Sequence, residues 1–288
     1  MTKYLIADLL FELNAPEWVL HEKFLPFLYK TDGKDISCFI VFEEYPDVPM
    51  EAKCLVKTKK TAVYVYNDYY QNVNSGTEVI PTCIISNNTW SSCTVYIDPV
   101  FYNPIDKQTV DNVRNGILGA LRSITIAALS YKHGLLVHSS SIIWNGEGIV
   151  FAAPSGEGKS THTNMWRQKY GTEILDGDVT ALRIIDEVPY AYGLPWCGTS
   201  REFLNKRVPL RAIIFLQQAE KNRIEKLDFQ EAFIRLASRC FMLPYDERMT
   251  NQFLNVAQEI ASKTDCYLLE CLPDYEAVEL VKKCLEKS

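Results

Sequence analysis

The amino-acid sequence predicts an α/β fold whose amino-terminal part is mostly β. Three observations predict it. Short β-rich runs fill residues 1 to about 100, a long apolar helix follows, and a strand, a glycine-rich loop and a helix come soon after it. We therefore expect a β-rich subdomain over residues 1–106, a linking helix over 107–133 and an α/β core over 134–288.

The predicted strands of the amino-terminal part are rich in β-branched and aromatic residues. Turn residues such as Asp32-Gly33 and Asn74-Ser75-Gly76 separate them. The runs cover residues 4–13, 38–43, 52–56, 61–66, 79–86 and 93–97.

The linking helix follows from apolar residues at steps of three and four. These residues are Val110, Val113, Ile117, Leu118, Leu121, Ile124, Ile126 and Leu129. The most apolar stretch, 116–131, contains Arg122 and is shorter than the roughly 20 residues that a membrane span requires. We expect a buried helix here.

The predicted core alternates strands and helices. Strands are expected at 135–138, in a second run ending at Trp144, and at 149–152, 172–178, 181–185, 212–216 and 266–270. Helices are expected at 159–169, 229–240, 247–263 and 274–286.

Charge and cysteine usage narrow the class of protein. The 30 basic and 36 acidic residues leave a net charge of −6, which argues against a nucleic-acid partner or an anionic membrane partner. Nine cysteines without a C-x-x-C pair or metal-ligand spacing are typical of reduced thiols. With no export signal in the first residues, we expect a cytoplasmic protein; self-association into a homo-oligomer stays open.

The strongest motif is a glycine-rich loop between the strand 149–152 and the next helix. It contains Ser155, Gly156, Glu157, Gly158, Lys159, Ser160 and Thr161. Two glycines let backbone N–H groups surround phosphate oxygens, a lysine reaches the β- and γ-phosphates, and a following serine can bind Mg²⁺. The sequence therefore predicts binding of ATP and Mg²⁺. The Walker pattern has a glycine where Ala153 stands, so a plain strand-to-helix turn is the alternative.

A nucleotide site with magnesium also needs a carboxylate at the end of a neighbouring strand. Asp176 and Asp178 meet that need, and the period of two places them on one side of their predicted strand. One could hold the metal while the other accepts a proton from an attacking hydroxyl. A solvated Asp-Gly turn is the alternative.

Basic residues cluster in the loop that follows these carboxylates. Arg201 and Lys206 are candidates to stabilise the transferred phosphate or the substrate. A solvated basic loop is equally compatible with the pattern.

At these residues the chain resembles the catalytic domain of HPr kinase/phosphorylase. The matching residues are His138, Gly146, Gly148, Ser155, Gly156, Gly158, Lys159, Ser160 and Asp178. The resemblance implies a P-loop kinase core over 134–288, a nucleotide on the loop, Mg²⁺ on Ser160 and Asp178, and an aspartate that activates a hydroxyl with help from His138. A more distant similarity is to ATP-dependent phosphoenolpyruvate carboxykinase.

The sequence departs from the family at the acceptor side. Asp176-Gly177-Asp178 replaces an Asp-Asp pair, Thr161 replaces an acidic residue, and no segment resembles the one that docks HPr. We expect an ATP- and Mg-dependent kinase that phosphorylates a hydroxyl on a peptide serine or a small molecule. The alternatives are an inactive nucleotide-sensing protein and a carboxykinase-like lyase.

Overall fold

The computed structural model describes residues 1–75, 80–102, 106–198 and 200–287. Gly76 of one predicted turn, Val79 of one predicted strand and Thr199 of the basic loop lie outside these ranges. The chain is a mixed α/β protein with large sheets and few helices. It divides into two compact units. The first contains Met1–Tyr131 and Leu243–Thr250, and the second contains Lys132–Met242 and Asn251–Ser288.

The first unit contains an eight-stranded sheet in the order β1-β2-β3-β8-β7-β6-β5-β4. Its strands are β1 Thr2–Ile6, β2 Leu9–Asn14, β3 Ile36–Val41, β4 Lys53–Lys57, β5 Thr61–Tyr66, β6 Tyr69–Asn74, β7 Thr82–Asn87 and β8 Ser92–Tyr96. The expected single strand over 4–13 is wrong. Ala7 and Asp8 both have positive φ, 49° and 55°, and they turn the chain into an antiparallel hairpin of β1 and β2.

The long helix α1 (Lys107–Ser130) belongs to this first unit, whereas the sequence set it apart as a linking helix. The Asp106 side chain caps its amino terminus by accepting from the Gln108 N–H. Val113, Ile117 and Leu121 are buried, as the three- and four-residue steps predict. Short 3-10 helices lie at Glu17–Val19, Glu22–Phe27 and Pro99–Phe101.

The second unit contains a nine-stranded sheet and three complete helices. Its strands are β9 Gly134–Trp144, β10 Glu147–Ala152, β11 Glu173–Asp176, β12 Val179–Ile185, β13 Val188–Tyr192, β14 Arg207–Gln218, β15 Arg223–Lys226, β16 Cys240–Phe241 and β17 Asp265–Cys271. Its helices are α2 Lys159–Tyr170, α3 Phe229–Ala237 and α5 Tyr275–Leu285, and α4 Glu247–Lys263 continues into it from the first unit.

The order of the second sheet is β10-β9-β12-β13-β14-β17-β15, and β10 also pairs with β14. Three of these strands, β10, β14 and β17, run parallel, with Ala152 opposite Phe215 and Phe215 opposite Leu268. Because parallel strands end at the same edge, the loop after β10 and the chain after β14 and β17 meet at one edge of the sheet. Buried apolar side chains cover both faces of these strands.

Several expected elements of this unit differ from the observed ones. The predicted strands at 135–138 and up to Trp144 form one strand, β9, which pairs with β10 over its second half. Strand β11 ends at Asp176, two residues before the expected end. The sequence analysis missed β13, in which Pro189 interrupts the β-branched pattern, and the short strands β15 and β16.

Across the described ranges, every helix is too short or too polar to cross a lipid bilayer. The nine cysteines all lie in the described ranges and form no disulfide there, and burial raises the pKa of Cys38 and Cys266 to about 12.

Candidate functional site

The glycine-rich loop follows β10 and leads directly into α2. Gly156 and Gly158 have φ of 88° and 96°, a conformation that residues with a Cβ adopt only with strain. Ala153 does not have a positive φ. The departure from the Walker glycine at Ala153 therefore costs the backbone no strain.

Lys159, the first residue of α2, points back into its own loop. Its Nζ donates to the carbonyl oxygens of Ala153 at 2.9 Å and Pro154 at 3.1 Å, and it lies 3.1 Å from Nε2 of His138. The residue is 8% exposed. Burial lowers the pKa of Lys159, and the charge of Asp178 partly restores it.

His138 lies on β9 between Lys159 and Asp178. Its Nδ1 is 3.5 Å from Oδ1 of Asp178, and its backbone N–H donates to the Arg239 carbonyl at 2.8 Å. Burial lowers the pKa of His138, and the neighbouring Lys159 charge lowers it further. The neutral ring accepts from Lys159 at Nε2, so its hydrogen lies on Nδ1, the nitrogen that faces Asp178.

The two carboxylates of the Asp-Gly-Asp sequence have different surroundings, and the expectation that they share one side is wrong. Asp176 is fully buried, and its carboxylate accepts from the backbone N–H groups of Asp178, Val179 and Leu194 at 2.9, 3.0 and 2.9 Å. Burial raises the pKa of Asp176 to about 7, against the effect of these hydrogen bonds. Strand β11 ends at Asp176, so the strand period does not reach Asp178, whose side chain is 34% exposed.

Lys159, His138 and Asp178 line one cavity of about 520 Å³, called the phosphate cavity below. Its lining residues are His138, Ser155, Gly156, Gly158, Lys159, Ser160, Thr161, Asn164, Gly177, Asp178, Ser200 and Glu202. Asp176 does not line it, and we assign it the positioning of Asp178 and of the chain at Leu194. Glu157 also faces elsewhere, because its carboxylate accepts from the Gln218 N–H at 3.0 Å.

The basic loop contributes different residues from those expected. Arg201 is exposed with φ of 57°, and it does not line the phosphate cavity. Lys206 forms an ion pair with Glu173 at 2.8 Å, also away from the cavity. The neighbours Ser200 and Glu202 line it instead, and Glu202 is paired with Arg167 of α2. Which side chain of a loop faces inward depends on backbone angles that the sequence pattern does not encode.

Gly177 is required at its position by the close approach of this loop. A Cβ at Gly177 would lie 2.6 Å from Cβ of Ser200, closer than real side chains approach. Gly177, between the two aspartates, therefore makes room for Ser200.

The oxygen ligands that Mg²⁺ prefers are present in small number. In the described part of the chain, no group of three His, Cys, Asp or Glu residues could hold a metal ion. Ser160 and Asp178 line the same cavity and offer one hydroxyl and one carboxylate. That donor set fits an ion which takes its remaining ligands from phosphate and water.

A second cavity of about 320 Å³ lies beside the same loop, at the ends of β14 and β17. Its lining residues are Gly156, Glu157, Gly158, Thr161, His162, Met165, Leu216, Gln218, Ala219, Cys271, Leu272 and Pro273. Sequence analysis gave no signal for it, because its wall is assembled from three segments far apart in the chain. We call it the apolar cavity.

Comparisons with known proteins give a family and distant likenesses among solved structures. No curated protein matches the chain. A solved structure to which it is similar is the Hpr(Ser) kinase/phosphatase from Coxiella burnetii, at 11% identity and a TM-score of 0.30, with 53% of this chain and 94% of that chain covered. A TM-score this low establishes no shared fold. The family model of the SynChlorMet cassette protein ScmC matches residues 104–278, more than half of the sequence, and the chain therefore belongs to the ScmC family.

Proposed function

We propose that this chain is an ATP- and Mg-dependent phosphotransferase that phosphorylates a hydroxyl group. The observation that carries the proposal is the convergence of the glycine loop, Lys159, His138 and Asp178 on one cavity. The motif resemblance to HPr kinase/phosphorylase supports a P-loop kinase core of that type. The acceptor that fits the proposal is a peptide serine or a small alcohol, and we place the reaction in the cytoplasm.

The loop supplies the recognition of phosphate. The backbone N–H groups at the start of α2 carry partial positive charges, and the ammonium of Lys159 carries a full one. Such an arrangement at a helix amino terminus favours the binding of phosphate. Lys159 now donates to loop carbonyls, and we propose that phosphate oxygens replace these acceptors when nucleotide binds. A Mg²⁺ ion held by the Ser160 hydroxyl directly and by Asp178 through water would add charge neutralisation on the phosphates and leave the Asp178 carboxylate able to accept a proton.

The chemical step uses Asp178 as proton acceptor. The acceptor oxygen attacks the γ-phosphorus, the bond from that phosphorus to the β,γ-bridging oxygen breaks, ADP leaves, and the hydroxyl proton passes to the Asp178 carboxylate. His138 is proposed to orient that carboxylate through its Nδ1 hydrogen. Asp176 fixes the position of Asp178 through the backbone.

The carboxykinase-like alternative is disfavoured by the placement of the histidines. Such a lyase would be expected to use additional histidine or lysine ligands for its metal. Among the described residues, only His138 of the four histidines lines the phosphate cavity. His162 is buried against Trp166, and His133 lies beside Glu259.

Transfer of labelled phosphate from γ-labelled ATP to a panel of serine peptides and small alcohols tests the proposal. We expect Mg-dependent transfer to at least one acceptor, and its loss in Lys159→Ala and Asp178→Asn. The matched controls are Lys221→Ala, at an exposed lysine, and Asp186→Asn, at an exposed turn whose φ of 48° asparagine tolerates. Nucleotide binding with no transfer to any acceptor would favour the nucleotide-sensing alternative.

A further inference from the structure

The apolar cavity and the phosphate cavity have three lining residues in common. Gly156, Gly158 and Thr161 line both, so the two cavities lie on either side of the same loop. A ligand whose phosphates lie in the loop therefore has a route into the apolar cavity. The remaining wall is mostly apolar, from Met165, Leu216, Ala219, Cys271, Leu272 and Pro273.

Hydrogen bonds connect the walls of this cavity to one another. The Gln218 N–H donates to Glu157 at 3.0 Å, and its side-chain amide donates to the Gly156 carbonyl at 2.9 Å. On the other wall, the Leu272 N–H donates to the Asn222 side chain at 2.8 Å. The Ala219 N–H donates to the Cys271 carbonyl at 3.2 Å, so backbone hydrogen bonds connect the wall after β14 to the wall at the end of β17.

His162 gives this wall a neutral polar group. Trp166 Nε1 donates to its Nε2 at 3.2 Å, so the ring hydrogen lies on Nδ1. Nδ1 has no hydrogen-bond partner among the residues described, although His162 is 2% exposed. Buried donors are nearly always paired in folded proteins, so an unpaired one at a cavity wall indicates a ligand with an acceptor atom. Burial lowers the pKa of His162 to about 4, so the wall carries no positive charge at neutral pH.

We propose that the apolar cavity binds the heteroaromatic base of the nucleotide whose phosphates occupy the glycine loop. A planar ring with nitrogen acceptors matches a mostly apolar wall in which the unpartnered donor is His162 Nδ1 and the one carboxylate, Glu157, already accepts from the Gln218 N–H. The volume of about 320 Å³ lies within the range of ligand pockets. This inference rests on the proposed function, because it takes the phosphate position from it. Its consequence is that the chain distinguishes a nucleoside triphosphate from a bare polyphosphate.

Calorimetric titration with two probes, Mg-ATP and Mg-tripolyphosphate, tests the inference. The second carries the same kind of phosphate chain without the nucleoside. Wild type should bind Mg-ATP at least tenfold more tightly. Ala219→Phe fills the cavity at a partly exposed position and should bring the affinity for ATP close to that for tripolyphosphate, which should change by less than twofold.

A matched pair of surface variants controls for general damage. Leu272 and Leu254 are 40% and 37% exposed, and only Leu272 lines the cavity. Leu272→Ser should weaken ATP binding severalfold, whereas Leu254→Ser should not. Unfolding curves for each variant will show whether the fold is kept.

The outcomes separate this inference from the proposed function. Equal affinity of wild type for both probes, or unchanged ATP affinity in Ala219→Phe and Leu272→Ser, overturns the base site and leaves the phosphate site intact. Unchanged ATP affinity with reduced transfer to an acceptor in Ala219→Phe assigns the cavity to the acceptor instead. If neither probe binds to wild type, the phosphate site fails and the base site fails with it.

Discussion

The ionisation of His162 gives a stability change that can be worked out from the structure. His162 is buried, and its ring centroid lies 4.7 Å from that of Phe151. Burial lowers its pKa from the ordinary value of 6.5 to about 4, while the charge of Asp274 opposes the shift. The folded chain therefore keeps His162 neutral in a pH range where the unfolded chain protonates it.

The sign and size of the effect follow from proton linkage. Between pH 6.5 and pH 4 the unfolded state binds more protons, so the stability contributed by neutral His162 is lost as the pH falls through that range. A shift of this size corresponds to about 3 kcal/mol of unfolding free energy between pH 7 and pH 4.

The assay compares urea unfolding of wild type and His162→Phe at both pH values, followed by the fluorescence of Trp166 and Trp144, which contact each other near this site. Phenylalanine keeps a ring beside Phe151 and does not titrate. At pH 7 the variant should be less stable by about 1–3 kcal/mol, because the buried Trp166 Nε1 loses its acceptor. At pH 4 the difference in unfolding free energy should shift by about 3 kcal/mol in favour of the variant. Parallel stability curves for the two proteins over this pH range would refute the assignment of a buried neutral histidine.

Further substitutions test the backbone of the site. Gly158→Ala, at φ of 96° with open space around a Cβ, should lower the unfolding free energy by about 1–2 kcal/mol and weaken Mg-ATP binding. Ala153→Gly should leave the affinity within about twofold and change stability by less than about 1 kcal/mol. Calorimetry and urea unfolding measure both, and a gain of affinity in Ala153→Gly would contradict our interpretation of that residue. Gly177→Ala should lower the unfolding free energy by about 1–3 kcal/mol, because its Cβ would lie 2.6 Å from Cβ of Ser200. The control Gly119→Ala, at a helical position with open space around a Cβ, should not destabilise the protein. Thermal unfolding compares the two variants, and equal Tm values would count against the close approach.

The parts of the fold that depend on local pattern were predictable from the sequence. The helix after the loop and the helix over 247–263 begin where the sequence predicts, because apolar periodicity and local signals mark them. The continuous apolar run 212–216 lies within β14, with Ile213 and Ile214 fully buried. Boundaries set by tertiary pairing were not predictable, and β9 is one long strand because β10, β11, β12 and β16 all pair along it.

Long-range packing also decides which unit a segment joins. Residues 243–250 cluster with the first unit, where Tyr245 accepts a hydrogen bond from Asn72 at 2.7 Å and Tyr70 donates to Asp246. These pairs are separated by more than 170 residues in sequence, and no local pattern indicates them.

The candidate site was partly visible in the sequence. Motif and resemblance pointed to His138, Lys159 and Asp178, which the structure brings together. Asp176 was assigned to the chemistry because strand periodicity was extended past the end of β11, whereas its carboxylate is used by three backbone N–H groups. The clustered positive charges favoured Arg201 and Lys206 as phosphate ligands, so Ser200 and Glu202 were missed. Only the loop conformation shows which side chains line the cavity.

The most direct test of the central claim is calorimetric titration of wild type and Lys159→Ala with ATP, in the presence and in the absence of Mg²⁺. The claim is that the glycine loop and Lys159 hold nucleotide phosphate beside Asp178. We predict Mg-dependent binding to wild type and a loss of at least tenfold in affinity in Lys159→Ala, with Lys221→Ala unchanged. Equal affinity of wild type and Lys159→Ala for Mg-ATP would contradict the claim.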